Sequence, residues 1–309
     1  MAVLFKSTWD SAARWRAELS RFIPDIDIRV WPEYGEPDDI TFAVVWGMPP
    51  GEFPKFRRLR GIASLGAGVD HLMRLPDLPA GVPVTRLVDP GMTAEMSEYV
   101  VLQVLRFHRR LPEYAGFQAM AKWQPLPRAD TPSTRVSILG LGVLGQDAAA
   151  KLKLLGFKVA GWSRSAKEIA GVETFHGAGG LTAMLATTDI LVNLLPLTAD
   201  TQDIVNADLL AKLPQGAAFV NCARGRHVVD ADLLAALDSG QIRGAALDVF
   251  RDEPLAADHP YWRHPKVLVT PHVAAATNPV TAAPQVAENI LRAARGEPLL
   301  NVVDMATGY

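Results

Sequence analysis

Six residues near the middle of the chain, Gly140-Leu141-Gly142-Val143-Leu144-Gly145, constrain the fold more tightly than any other feature. They stand between a short apolar run, residues 136–139, and an Ala-, Lys- and Leu-rich stretch continuing to Leu155. The spacing G-x-G-x-x-G thus falls where a strand turns into a helix. Alone, that spacing also suits a tight turn that binds nothing. Here Gly156 closes the helix and a second apolar run, 158–162, follows, which completes a βαβ unit and favours a dinucleotide. Gly140 then permits the tight turn, and Gly142 lets the backbone approach a pyrophosphate. Gly145 allows the helix to lie close to the strand, while Val143 and Leu144 open the helix whose free N–H groups face phosphate.

A site for NAD is expected to carry Asp or Glu at the end of the second strand, where it meets the ribose hydroxyls. This chain has Ser163-Arg164-Ser165 there. Two hydroxyls and a guanidinium suit a 2′-phosphate, so NADP(H) is expected ahead of NAD(H).

Short buried strands are expected at 2–5, 27–30, 42–46 and 61–65, interrupted by helical or Pro-rich stretches. Met96, Val100, Val101, Val104 and Leu105 recur at helical spacing and predict a long helix over 93–110, followed by a Pro-rich linker over 125–132. After the βαβ unit come further strands at 190–194, 217–221, 244–249 and 267–270. They alternate with helices near 207–213 and 230–237, the latter capped by Asp230. A doubly wound parallel sheet follows. The last helix, 280–295, comes after all these strands and is expected to return to the first unit. The expected division is therefore 1–102 with 276–309, interrupted by a Rossmann domain at 103–275.

Charge and composition narrow the function classes. Over 309 residues, 31 Lys and Arg oppose 33 Asp and Glu, a formal charge of −2. No basic field exists for nucleic acid or an anionic membrane. The single cysteine, Cys222, supplies neither a disulfide nor a zinc knuckle, and no metal site is expected. The first ten residues include Lys6 and lack a signal-peptide core, and no run approaches the ~20 apolar residues of a membrane span. A cytoplasmic location is expected.

Three stretches just after expected strands carry reactive side chains: Asn221-Cys222-Ala223-Arg224-Gly225, Asp248-Val249-Phe250-Arg251-Asp252-Glu253-Pro254 and Thr270-Pro271-His272-Val273-Ala274. Arg224, Glu253 and His272, in this order behind a Rossmann motif, resemble the D-isomer-specific 2-hydroxyacid dehydrogenase family. The reaction that this resemblance implies, reduction of a 2-keto acid, needs a proton for the carbonyl oxygen and cationic or N–H groups for the carboxylate. His272 suits the proton donor, Glu253 the residue that orients it, and Arg224 the carboxylate grip. Leu65-Gly66-Ala67-Gly68-Val69-Asp70-His71 and Glu98-Tyr99-Val100 also look like that family's first-domain motifs, so the resemblance spans nearly the whole chain.

The resemblance implies an α/β enzyme, a doubly wound parallel-sheet Rossmann domain inserted into a smaller flavodoxin-like α/β substrate domain. Its catalytic residues map onto Arg224, Glu253 and His272. It adds Pro196, Cys222, Ala223 and Asp248 to the cofactor site, Cys222 being read as a small buried filler without a nucleophilic role. Backbone N–H groups of Ala67 and Gly68 complete the substrate carboxylate site, and Trp46 is a candidate wall favouring small substrates. Within the family the chain looks most like glyoxylate/hydroxypyruvate reductases acting as homodimers, with residues 93–110 and the segment up to Trp123 at the interface. The other histidines, His71 among them, are read as core or surface residues. Two alternatives stay open: a dehydrogenase for another ketoacid, and a non-catalytic NAD(P)H-sensing binding protein on the same fold.

Overall fold

The structure, a computed structural model, describes residues 2–309. The chain divides into two units, Met1–Met92 with Ala276–Tyr309, and Thr93–Ala275.

In the first unit, β1 (Ala2–Lys6), α1 (Ala12–Ser20), β2 (Asp27–Val30), β3 (Ile40–Val45), β4 (Ile62–Ser64), α2 (Asp70–Met73) and β5 (Val84–Thr85) follow one another. The strands form one parallel sheet in the order β2-β1-β3-β4-β5, the flavodoxin-like order. Parallel strands covered on both faces need continuous apolar runs, and Val3, Leu4, Phe5, Phe42, Ala43, Val44 and Val45 are all buried.

The second unit starts within α3 (Pro90–His108) and continues through α4 (Leu111–Ala119), β6 (Arg135–Leu139), α5 (Val143–Leu154), β7 (Lys158–Ser163) and β8 (Glu173–His176). After these come α6 (Gly177–Leu185), β9 (Ile190–Asn193), α7 (Ala207–Ala211), β10 (Ala217–Asn221), α8 (Asp230–Ser239), β11 (Ile242–Leu247) and β12 (Val267–Val269). Its seven strands are ordered β12-β11-β10-β9-β6-β7-β8, and every pairing is parallel. The direction of winding reverses between β6 and β9, the switch point beside which doubly wound folds bind nucleotides. Alternate residues of the central strands enter two cores. Leu191, Phe219 and Ala245 join Leu209, Leu233 and Leu237 on one face, while Val192, Val220 and Ala246 join Val100, Val104 and Leu152 on the other.

The final helix, α9 (Pro279–Arg295), belongs to the first unit and packs against α1. The Asn278 side chain accepts the Val280 N–H and Pro279 opens the helix, while Gly296 at φ +72° closes it. Its buried stripe, Ala282, Ala283, Val286, Ala287, Ile290 and Ala293, has helical spacing.

Several expectations are corrected. The first division falls at Met92/Thr93 instead of 102/103, because Met96, Val100, Val104 and Phe107 of α3 enter a core of the second unit. The Pro-rich stretch lies inside that unit, where His108 hydrogen-bonds the hydroxyls of Thr131 (3.1 Å) and Thr134 (3.3 Å). Asp230 is the first helical residue of α8, and its carboxylate accepts the Tyr261 hydroxyl (3.0 Å) instead of capping. Strand β11 starts and ends two residues earlier than expected, since Asp248 and Val249 leave the ladder to build the loop beyond it. Edge strand β8 is half-exposed and has no apolar run, and α6 opens on Gly177-Ala178-Gly179-Gly180, three of them glycines and poor helix formers, so neither was legible.

Candidate active site

The second unit presents its chemistry at the carboxyl edge of the sheet. Gly140, just after β6, takes φ +99°, and a Cβ there would meet the Leu194 carbonyl oxygen at 2.6 Å. A Cβ on Gly145 would sit 1.9 Å from the Gly140 carbonyl oxygen, so only glycine lets α5 approach the turn. Gly142 differs: its φ is −76°, and a Cβ would meet nothing within 4 Å. No intramolecular contact demands a glycine there, which fits a backbone kept bare for a ligand at the α5 N-terminus. Val143 and Leu144 form the first turn of α5 with Val143 partly exposed.

Ser163 ends β7, with its hydroxyl donated to the Ser165 carbonyl (2.8 Å). Arg164 and Ser165 are exposed. Lys167, missed in the sequence, donates from Nζ to the Leu141 carbonyl at 2.7 Å, which places a cation against the glycine turn. Its signal was a basic residue three positions beyond Arg164.

Three neighbouring strands end on buried polar residues, each fully inaccessible: Asn193 closes β9, Asn221 closes β10, and Asp248 follows β11. Asn193 Nδ2 donates to Asn221 Oδ1 (3.0 Å) and to His227 Nδ1 (2.9 Å), which leaves His227 Nε2–H to donate to the Pro196 carbonyl (3.2 Å). Asn221 in turn accepts the Ala223 N–H (3.3 Å) and donates to the Arg224 carbonyl (3.0 Å). The loops bearing Pro196, Ala223 and Arg224 are thereby tied together. Cys222 is buried between them, and burial pushes its thiol pKa up, away from thiolate chemistry. Polar side chains at the ends of apolar strands were the signal for this network.

Asp248 accepts three hydrogen bonds, from the Thr270 hydroxyl (2.5 Å), the Val273 N–H (3.0 Å) and the Ala274 N–H (2.9 Å). Because a carboxylate only accepts, Thr270 must donate to it, so Tyr99 donates its hydroxyl to Thr270 Oγ1 (2.8 Å). Burial raises the Tyr99 pKa, which keeps that proton in place. The backbone N–H of His272 is held on the Asp248 carbonyl at 2.8 Å, and His272 takes φ +55°. A left-handed histidine costs on the order of 1–3 kcal/mol and persists where its surroundings over-determine it.

The strained residue presents its ring to Glu253. His272 Nδ1 lies 2.7 Å from Glu253 Oε2, while Glu253 Oε1 accepts the Phe250 N–H at 2.9 Å. Burial alone would raise the Glu253 pKa. The bonds from His272 and Phe250, with the charges of His272 and Arg224, outweigh it and hold the carboxyl below the usual range. Arg224 therefore acts electrostatically on the pair. Its Nη1 donates to the Ala223 carbonyl (2.8 Å).

In the first unit, Trp46 follows β3 and Leu65–Val69 follow β4, again at the carboxyl edge. The N–H groups of Ala67 and Gly68 donate to no acceptor among the described residues. The Trp46 and His71 rings pack with centroids 4.2 Å apart and planes tilted by 47°. No helix among the described residues is long and apolar enough to cross a membrane, and none of their side chains cluster as a metal site.

Residues 101–274 match the family model of the D-isomer specific 2-hydroxyacid dehydrogenase NAD binding domain. Over the full length of both chains, the sequence is 43% identical to a glyoxylate/hydroxypyruvate reductase A of Serratia proteamaculans. A D-isomer specific 2-hydroxyacid dehydrogenase from Xanthobacter autotrophicus Py2, solved with NADPH and MES, superposes with a TM-score of 0.96. It is 44% identical, with 100% of this chain and 99% of that chain covered. An NADPH-dependent glyoxylate/hydroxypyruvate reductase from Sinorhizobium meliloti, solved with NADP and sulfate, superposes at 0.93, with 42% identity and full coverage of both chains. Motif, topology and full-length similarity agree, and the chain belongs to the D-isomer specific 2-hydroxyacid dehydrogenase family.

Proposed function

We propose that this chain reduces a small 2-keto acid, glyoxylate or hydroxypyruvate, to the 2-hydroxy acid with NADPH. The observation that carries the reading is the Glu253–His272 pair, in which a loop carboxylate engages Nδ1 and leaves Nε2 as the ring atom that can serve a substrate. The relatives named as glyoxylate/hydroxypyruvate reductases support the substrate class.

The residues present fit the cofactor. Bare Gly142 and the α5 N-terminus suit its pyrophosphate, and Arg164 with Ser163, Ser165 and Lys167 suits a 2′-phosphate where an NAD site carries an acid. A reduced nicotinamide, when bound, supplies hydride to the carbonyl carbon. His272 delivers the proton from Nε2 to the carbonyl oxygen, with Glu253 orienting the ring. Arg224 grips the carboxylate and polarises the carbonyl. Pro196, Cys222, Ala223 and Asp248 shape the cofactor side of these loops. From the first unit, the Ala67 and Gly68 N–H groups, which meet no acceptor among the described residues, serve as carboxylate donors, and Trp46 as a limit on substrate size.

Absorbance at 340 nm tests the reading, with glyoxylate, hydroxypyruvate, pyruvate and phenylpyruvate each offered NADPH and NADH. Fastest turnover of the two small acids with NADPH is expected. Negligible turnover with cofactor-dependent protein binding would overturn it in favour of a sensor.

The same reading includes a homodimer in the cytoplasm. Leu102, Leu111, Met120 and Trp123 on and beyond α3 and α4 are exposed apolar residues, Trp123 at 96%. Such a surface suits a second copy. Sedimentation equilibrium should give twice the 33.4 kDa chain mass, and Trp123→Glu should lower it.

A further inference from the structure

We propose that His71 is a positioning residue for substrate, holding the Trp46 loop and the Gly66–Gly68 turn in one arrangement through a one-way chain of hydrogen bonds. The inference rests on the proposed ketoacid reduction, since Trp46, Ala67 and Gly68 are its substrate contacts in the first unit.

The direction of the chain is fixed at both ends by backbone groups. At one end the Gly47 N–H donates to His71 Nδ1 at 3.5 Å, the longest link. A nitrogen that accepts carries no proton, so the neutral ring has its hydrogen on Nε2. Nε2 lies 3.0 Å from Ser64 Oγ and donates to it. At the other end Ser64 Oγ donates to the Gly68 carbonyl (3.0 Å), and it also accepts the Gly66 N–H (3.3 Å). The hydroxyl has one proton and two lone pairs, so all its capacity is used. Ser64 is fully buried, and losing the donation from His71 would leave an unsatisfied lone pair inside the unit.

Packing reinforces the bonds. The Trp46 ring packs on His71 with centroids 4.2 Å apart and the planes tilted by 47°. A Cβ on Gly66 would strike Trp46 at 2.6 Å, so the indole lies directly on the turn that exposes the Ala67 and Gly68 N–H groups. His71 thus touches Trp46 through its ring, the Gly47 backbone through Nδ1 and the Gly66–Gly68 turn through Ser64. These tie the segments after β3 and β4 together, although neither His71 nor Ser64 is needed for proton transfer. A sub-ångström shift of the turn weakens ground-state and transition-state binding alike, which appears in KM before kcat.

The test compares Ser64→Ala, His71→Phe and the double variant with the wild-type chain. Phe keeps a ring against Trp46 and removes the bonds to Gly47 and Ser64. Each single variant should raise KM for the ketoacid about tenfold, with kcat and KM for NADPH within about threefold. The double variant should be no worse than the worse single one, because the bonds form one chain. An unchanged ketoacid KM, a parallel loss of kcat and NADPH affinity, or multiplying single effects would overturn the inference. A second measurement needs no turnover and no variant: long-range 1H–15N correlation at neutral pH should show His71 protonated on Nε2. Protonation on Nδ1 would overturn the positioning chain, whereas a wild-type protein with this tautomer and no turnover would overturn only the ketoacid reading.

Discussion

Glu253 Oε2 lies 2.7 Å from His272 Nδ1, although the residues are 19 positions apart and follow different strands, β11 and β12. The bond orients the ring and assigns proton delivery to Nε2, so the two substitutions should differ in size. His272→Gln removes the proton donor and should lower kcat about 10²- to 10⁴-fold, the usual worth of general acid catalysis. Glu253→Gln keeps a bond to Nδ1 but loses the charge, and should cost less. Steady-state kinetics check both. Wild-type kcat in His272→Gln would remove this histidine from the reaction.

Glu253 also sets an acid limit on the fold. Its carboxyl is held below the ordinary glutamate value of 4.5. A depressed carboxyl stabilises the folded chain above that value, and the contribution is lost as pH falls through the lower folded value. The Tm advantage of the wild-type chain over Glu253→Gln should therefore be flat above about pH 5 and shrink as pH falls below 4.5. An advantage that grows on acidification would contradict the sign.

Two glycines of one motif should respond in opposite ways. Gly145→Ala places a methyl 1.9 Å from the Gly140 carbonyl oxygen and should lower Tm by several degrees as α5 is pushed off the turn. In Gly142→Ala the methyl meets nothing and φ is ordinary, so Tm should hold while Kd for NADPH rises at least tenfold. Calorimetric Tm with a fluorescence titration of NADPH separates the two. An unchanged Kd in Gly142→Ala would leave that glycine without a ligand to explain it.

The contrast shows why parts of this protein were readable and others were not. Strands such as Ala217–Asn221 are buried on both faces and announce themselves as apolar runs, while His272 follows the partly buried edge strand Val267–Val269 in a stretch with few other meanings. Edge strand Glu173–His176 is stabilised by pairing with β7, which leaves no apolar signature in its own residues. Networks are harder still. Asn193 stands 28 positions from Asn221 and 34 from His227, and its bonds to them depend on strand register. His71 read as an unremarkable histidine for the same reason: Ser64 and Gly47 reach it only after two strands have paired.

Cofactor choice should turn on Arg164. A hydrogen bond to a charged group contributes about 1.5–3 kcal/mol, or roughly ten- to a hundredfold in affinity. Arg164→Asp replaces an attraction for the 2′-phosphate with a repulsion, so the ratio of kcat/KM for NADPH over NADH should fall by at least that factor. The same assay on Lys167→Ala should show a smaller fall, because Lys167 is already engaged with the Leu141 carbonyl. An unchanged NADPH preference in Arg164→Asp would move the phosphate site elsewhere.

Asp248 should matter to the reaction through the loop that it holds. Its two oxygens accept the Thr270 hydroxyl and the N–H groups of Val273 and Ala274, on either side of the left-handed His272. Asp248→Asn is nearly the same size but must turn an NH₂ group toward at least one of those donors. Losing a charge-assisted bond in a fully buried position costs about 1–3 kcal/mol, and the strained histidine is the residue it releases. Both Tm and kcat should fall, and the residual activity should be insensitive to Glu253→Gln if His272 no longer presents its ring to Glu253. A double-mutant cycle checks this: additive losses from Asp248→Asn and Glu253→Gln would show that the buried aspartate does not act through the histidine.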